Sequence, residues 1–259
     1  MSVTSFERFH ELATQGTFVP VCKELRADLL TPLSAFLKIA EHSEHAFLFE
    51  SVEGGEQVAR YSFLGKDPFL VLRAADGKTI AEEGGSVTHS DVPFMDRLRA
   101  VMSDYRAPQV ADLPRFTGGA VGFLGYDAAN WFEPALDSAW KAHSLPPGQD
   151  DDAGFMLFDS ILAFDHVKHR ILLIANARVN PGDDLEGAYR FACAKIHFLE
   201  QELQRTLSEP APAEPTPIDI TSNTSQTAFE EAVRIAKERI AAGDIYEEPI
   251  GDDFIYTDW

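Results

Sequence analysis

The sequence is poor in cysteine, in basic residues and in long apolar runs. Its two cysteines, Cys22 and Cys193, stand far apart in 259 residues and fit no CxxC or zinc-ligand spacing. That argues against a disulfide framework and fits a reducing compartment. Lys and Arg number 22 against 42 Asp and Glu, a formal charge of -20. A polyanion partner draws on clustered Lys and Arg, so nucleic acid is not an expected partner. The same imbalance disfavours an anionic membrane surface. No apolar run approaches the ~20 residues that cross a bilayer. The first residues, Met-Ser-Val-Thr-Ser-Phe-Glu-Arg, lack the basic start and apolar run of a secretion signal. A cytoplasmic protein without nucleic-acid or membrane partners is expected.

What the chain does have is a 45% apolar content, ample for a large core. Its most informative stretch is Ala46-Phe-Leu-Phe-Glu-Ser-Val52, then Glu53-Gly-Gly-Glu56, then Gln57-Val-Ala-Arg-Tyr-Ser-Phe-Leu-Gly65. Two aromatic-rich runs around a double glycine read as a β-hairpin. Pairing the runs would make neighbours of Glu50, Ser51, Arg60, Tyr61 and Ser62, since opposed residues lie only about 5 Å apart. A carboxylate, a hydroxyl and a guanidinium beside an apolar wall suit a small amphoteric ligand such as an amino acid. The plainer alternative is an ordinary hairpin with one edge salt bridge. Strict alternation also sends Ser51 to the face of Phe47 and Phe49, and Glu50 to that of Leu48.

Taken in order, Phe6, Phe9, Leu12 and Ala13 mark a short amphipathic helix. Phe18-Val-Pro-Val-Cys22 is extended, its proline favouring a sheet edge. Thr31 and Pro32 cap and open a helix with Leu33, Phe36, Leu37 and Ala40 as the expected buried stripe. Three short strands follow as a meander, at 68–73, 78–81 and 86–89, and then a helix from about Pro93 to Tyr105. The runs 155–165 and 171–176 read as a second hairpin, buried on both faces, with His166 and His169 exposed in its turn. Asp183 and Glu186 read as a capping pair before a long helix with Leu185, Ala188, Tyr189, Ala192, Ile196, Leu199 and Leu203 on one face. A proline-rich stretch from Ser208 to Pro217 is a stiff linker. Thr227 and Glu230 then cap a helix carrying Phe229, Ala232, Val233, Ala236 and Ile240 and ending at Gly243.

Three stretches imitate ligand motifs. Phe116-Thr-Gly-Gly-Ala-Val-Gly-Phe-Leu-Gly-Tyr126 lacks the G-x-G-x-x-G spacing and the lysine of a phosphate loop, so its glycines are packing points in a central strand. Gly65-Lys66 is followed by Asp67, which rules out a Walker loop. Asp150-Asp-Asp152 lacks further carboxylates at ligand spacing and reads as a solvated loop. The fold expected is α+β, with antiparallel strands in two packed sheets and surrounding helices.

Several of these runs together are similar to component I of anthranilate synthase, in the chorismate-utilising enzyme family. They are Asp28-Leu-Leu-Thr-Pro32, Phe49-Glu-Ser-Val-Glu-Gly-Gly55, Arg60-Tyr-Ser-Phe-Leu-Gly65, Phe116-Thr-Gly-Gly-Ala-Val-Gly122, Gly125-Tyr-Asp127, Phe229-Glu-Glu-Ala-Val233 and Ile240-Ala-Ala-Gly-Asp-Ile-Tyr246. The resemblance reaches Tyr246; the acidic residues 247–259 match nothing.

The resemblance implies a regulatory tryptophan-site domain at 1–207, a linker at 208–224, the first helix of a chorismate-binding domain at 225–246, and an unmatched tail. It implies an L-tryptophan effector site in which Leu48-Phe49-Glu50-Ser51 stands for the family's motif and Arg60 for its basic residue. Full-length relatives convert chorismate and ammonia to anthranilate and pyruvate with Mg²⁺, using a glutamine amidotransferase subunit as partner. The family's metal ligands and acid–base residues match no position here, so no cofactor and no catalytic residue are assigned to this chain, which is expected to be inactive alone. Aminodeoxychorismate synthase, a salicylate-forming relative and a free-standing amino-acid-binding module are the alternatives.

Overall fold

The computed structural model describes residues 3–27, 30–50, 60–133, 136, 151–207, 222 and 224–244. The chain divides into two compact units, Met1–Ser208 and Glu209–Trp259. The first contains two five-stranded antiparallel sheets. One is built from β1 (Phe18–Arg26), β2 (Ala46–Phe49), β3 (Tyr61–Lys66), β9 (Ser160–Asp165) and β10 (Arg170–Arg178), in the order β1-β10-β9-β3-β2. The other comprises β4 (Leu70–Ala75), β5 (Lys78–Glu83), β6 (Ser86–Ser90), β7 (Gly119–Leu124) and β8 (Ala153–Phe158), in the order β6-β5-β4-β8-β7.

Period-2 alternation in β9 and β10 explains the layering. Leu162, Phe164, Ile171 and Leu173 face a core shared with α1 (Phe6–Ala13), α2 (Pro32–Ala40) and α4 (Leu185–Leu203). Ile161, Ala163, Leu172 and Ile174 face the opposite way and pack on Val121, Met156 and Phe158 of the second sheet. The outer face of that sheet buries Leu70, Leu72 and Leu157 against Phe94, Leu98 and Val101 of α3 (Phe94–Ser103). Each such large side chain contributes roughly 1.5–3 kcal/mol when fully buried. The expected α+β architecture of two packed antiparallel sheets with flanking helices is therefore present.

The details depart from the sequence reading in five places. The run 155–165 is not one strand: it breaks at Asp159 into β8 and β9, which lie in different sheets. Asp159 is the polar residue at the crossing, its carboxylate held by Lys195 Nζ at 2.6 Å and Ser160 Oγ at 3.0 Å. The glycine-rich β7 is an edge strand, not a central one. Close approach is nonetheless the use of Gly122, where a Cβ would sit 1.9 Å from the Gly154 carbonyl oxygen. In α2 the buried residues are Pro32, Ala35 and Ile39, whereas Leu33 and Leu37 are about half exposed. The cap of α4 is Asp184, which accepts from Gly187 N; Asp183 instead accepts from Asn180 N.

In the second unit α5 (Gln226–Ala242) is capped by Ser225, which accepts from Ala228 N, and not by Thr227. Its end at Gly243 has the left-handed conformation that glycine permits, φ 79°. Linker residues 208–217 and the tail 247–259 lie outside the described residues. No helix among the described residues is long and apolar enough to cross a membrane.

Candidate functional site

β2 and β3 pair antiparallel from Ala46↔Lys66 to Phe49↔Phe63, which brings Glu50 to the end of the ladder beside the start of β3. Phe47 and Phe49 share one face, with ring centroids 5.2 Å apart. Phe47 also packs edge-on against Phe158 at 4.8 Å, and Phe116 bridges to Phe63 at 5.4 Å. Gly65 makes room for this: a Cβ there would meet the Phe47 ring at 2.4 Å. Phe49 closes the aromatic row and remains 54% exposed, while Leu48 faces the helix-side core.

Arg60 immediately precedes β3. Its Nε and Nη2 donate to the two carboxylate oxygens of Asp165 at 3.1 and 2.9 Å, and its guanidinium lies 4.8 Å from the centre of the Tyr61 ring. Asp165, at the end of β9, has a fully buried side chain. It also accepts from Lys168 N at 3.2 Å and from Arg170 Nε at 3.4 Å, and Arg170 in turn donates to Glu24 at 2.6 Å. Burial pushes the Asp165 carboxyl up, but the Arg60 hydrogen bond, the Lys168 N–H and Arg170 outweigh it, and the group titrates below the usual range. The hydrogen bond to Asp165 raises Arg60. Behind this pair, buried Ser62 Oγ lies 2.8 Å from Nε2 of the exposed His166.

Glu50 and Arg60 thus sit at one end of the β2–β3 pair, but Glu50 makes no ion pair or hydrogen bond with another described residue. Ser51 lies outside the described residues. Nη1 of Arg60 makes no hydrogen bond among the described residues. Glu50 and Phe49 are exposed, and the Arg60 guanidinium is about a third exposed. Asp165 and its partners were missed in the sequence. The signal available was an acid at the end of one apolar run and an arginine, Arg170, at the start of the next.

The acidic run at 150–152 is structural where it is described. Asp151 pairs with Arg73 at 3.2 Å, and Asp152 is raised by burial and by Asp127, Asp151 and Asp76. Among the described residues no group of three or more His, Cys, Asp or Glu is placed to hold a metal ion.

The pattern of the chorismate binding enzyme family matches residues 44–249, which include β2, β3 and the Arg60 site. The chain belongs to that family. Among curated relatives, anthranilate synthase component 1 of Synechocystis sp. is 39% identical over 93% of this chain and 49% of its own. Those of Acetivibrio thermocellus and Acinetobacter calcoaceticus are 35% and 36% identical, over 91% and 95% of this chain and 48% and 49% of theirs. The chain therefore spans about half the length of the curated relatives it matches.

Proposed function

We propose that this chain is the effector-binding part of an anthranilate synthase component I. The reading rests chiefly on the placement of Glu50 and the partly exposed Arg60 at one end of an aromatic row. It is supported by relatives carrying that name. L-Tryptophan is the ligand: Glu50 and the Ser51 hydroxyl accept from its ammonium, Arg60 donates to its carboxylate, and the phenylalanines bed its indole. Residues 1–207 form the regulatory region, 208–224 a linker, and 225–246 the first helix of the chorismate-binding part. In a chain of the relatives' full length, chorismate and ammonia yield anthranilate and pyruvate, with ammonia delivered by the glutamine amidotransferase component II and Mg²⁺ held by residues outside this sequence. Such an enzyme works in the cytoplasm.

Calorimetric titration with L-tryptophan tests the reading. A chain continued to the relatives' length binds it, and Ser51→Arg abolishes binding by filling the site and setting charge against the ammonium. The chain as it stands binds about ten-fold more weakly or worse, because partial exposure of the indole forfeits much of the roughly 1.5–3 kcal/mol of aromatic burial. Unchanged affinity in Ser51→Arg would show that the polar groups of β2 and β3 are structural.

A further inference from the structure

Thr17 and Phe18 hold two arginines side by side at the far end of β10. The carbonyl of Arg106 accepts from Thr17 N at 2.9 Å and from Phe18 N at 3.1 Å, and Arg106 N donates to Thr17 Oγ1 at 3.0 Å. On the other flank, Phe18 is the ladder partner of Arg178, and Val179 N donates to the Thr17 carbonyl at 2.9 Å. Arg106 and Arg178 are therefore each one backbone step from the same two residues. Both are exposed and both line one cleft of about 580 Å³.

Among the described residues, Arg106 and Arg178 make no ion pair and no side-chain hydrogen bond, although acids outnumber bases almost two to one in the sequence. Arg178 is fixed instead by stacking over Phe69 at 4.7 Å, and that ring packs on Tyr105 at 5.5 Å. Stacking occupies the face of the guanidinium and leaves its N–H edge free. Asp104 lines the same cleft without pairing with either arginine. Asp183, in the adjoining cleft, has one oxygen engaged by Asn180 N at 2.8 Å. Two neighbouring cations unpaired among the described residues repel each other, and a bound anion relieves that repulsion.

We propose that this cleft is a binding site for a small anion, held by Arg106 and Arg178 through a phosphate or carboxylate group. It is separate from the Arg60 site: Arg170 and Arg178 mark opposite ends of β10, on the order of 27 Å apart at about 3.4 Å per residue. The inference does not depend on the tryptophan reading.

The test is calorimetric titration of the chain with inorganic phosphate and, separately, with succinate, at ionic strength held constant with sodium chloride. Saturable binding is expected, at least ten-fold weaker in Arg106→Gln and in Arg178→Gln. It should be unchanged in Arg99→Gln, which removes an exposed arginine paired with Asp96 elsewhere. The arm that responds identifies the anion as phosphate or carboxylate. Should Arg178→Gln fail to fold for want of its stack on Phe69, Arg106→Gln decides alone. No saturable binding of either probe, or equal binding by Arg106→Gln and the unaltered chain, overturns the proposal.

Discussion

Arg60 and Asp165, 105 positions apart in sequence, are joined by a two-point fork of 2.9 and 3.1 Å at one end of the first sheet. The carboxylate is buried and the guanidinium is about a third exposed, its Nη1 without a hydrogen bond among the described residues. The fork fixes Arg60 without consuming it, which is what a ligand-binding arginine requires. Arg170 and the Lys168 amide support the same carboxylate, so the arrangement does not rest on a single bond.

Asp165→Ala should therefore destabilise the first unit markedly. Removing the buried carboxylate deletes its hydrogen bonds to Lys168 N and Arg170 as well as to the more exposed Arg60, and a loss of about 1–3 kcal/mol is expected. Urea unfolding followed by circular dichroism measures it. A loss under 0.5 kcal/mol would mean that Asp165 is not holding this end of the sheet.

The same carboxylate sets a pH dependence. Its folded-state pKa lies below the unfolded value of about 3.9, so its stabilisation is complete above that value and disappears as pH falls through the folded pKa. The stability gap between the native chain and Asp165→Asn should stay constant from about pH 8 to pH 5 and shrink below about pH 4. Urea midpoints across that range provide the check. A gap that widened on acidification would reverse the sign.

On α2, Leu33→Glu and Leu37→Glu should each change stability by less than about 0.5 kcal/mol, since both side chains are about half in water. Ile39→Ala, at a buried position, should cost about 2–5 kcal/mol. Thermal melts of the three variants settle which face of the helix is the core.

That helix shows where the sequence was legible and where it was not. Its start was readable because Thr31 and Pro32 act locally: Thr31 Oγ1 accepts from Ser34 N, as such a cap does. Its buried face was not, because two apolar stripes compete and the choice depends on the neighbouring sheet. The aromatic runs and the pairing of β2 with β3 were likewise visible in alternation. The break at Asp159 was hidden, since an apolar run gives no sign that its strands serve different sheets. At the candidate site, Glu50 and Arg60 were visible as polar residues in apolar runs. The partner of Arg60 was not, because Asp165 comes from a strand 105 positions away.

The most direct measurement of the central claim compares two ligands at Arg60. L-Tryptophan and tryptamine share the indole and the amine, and only tryptophan has the carboxylate assigned to the Arg60 guanidinium. In a chain continued to the relatives' length, calorimetry should show tryptophan binding about ten-fold or more tightly than tryptamine, and Arg60→Gln should erase that preference. If Arg60→Gln keeps the full preference for tryptophan, Arg60 serves only the sheet and the effector site lies elsewhere.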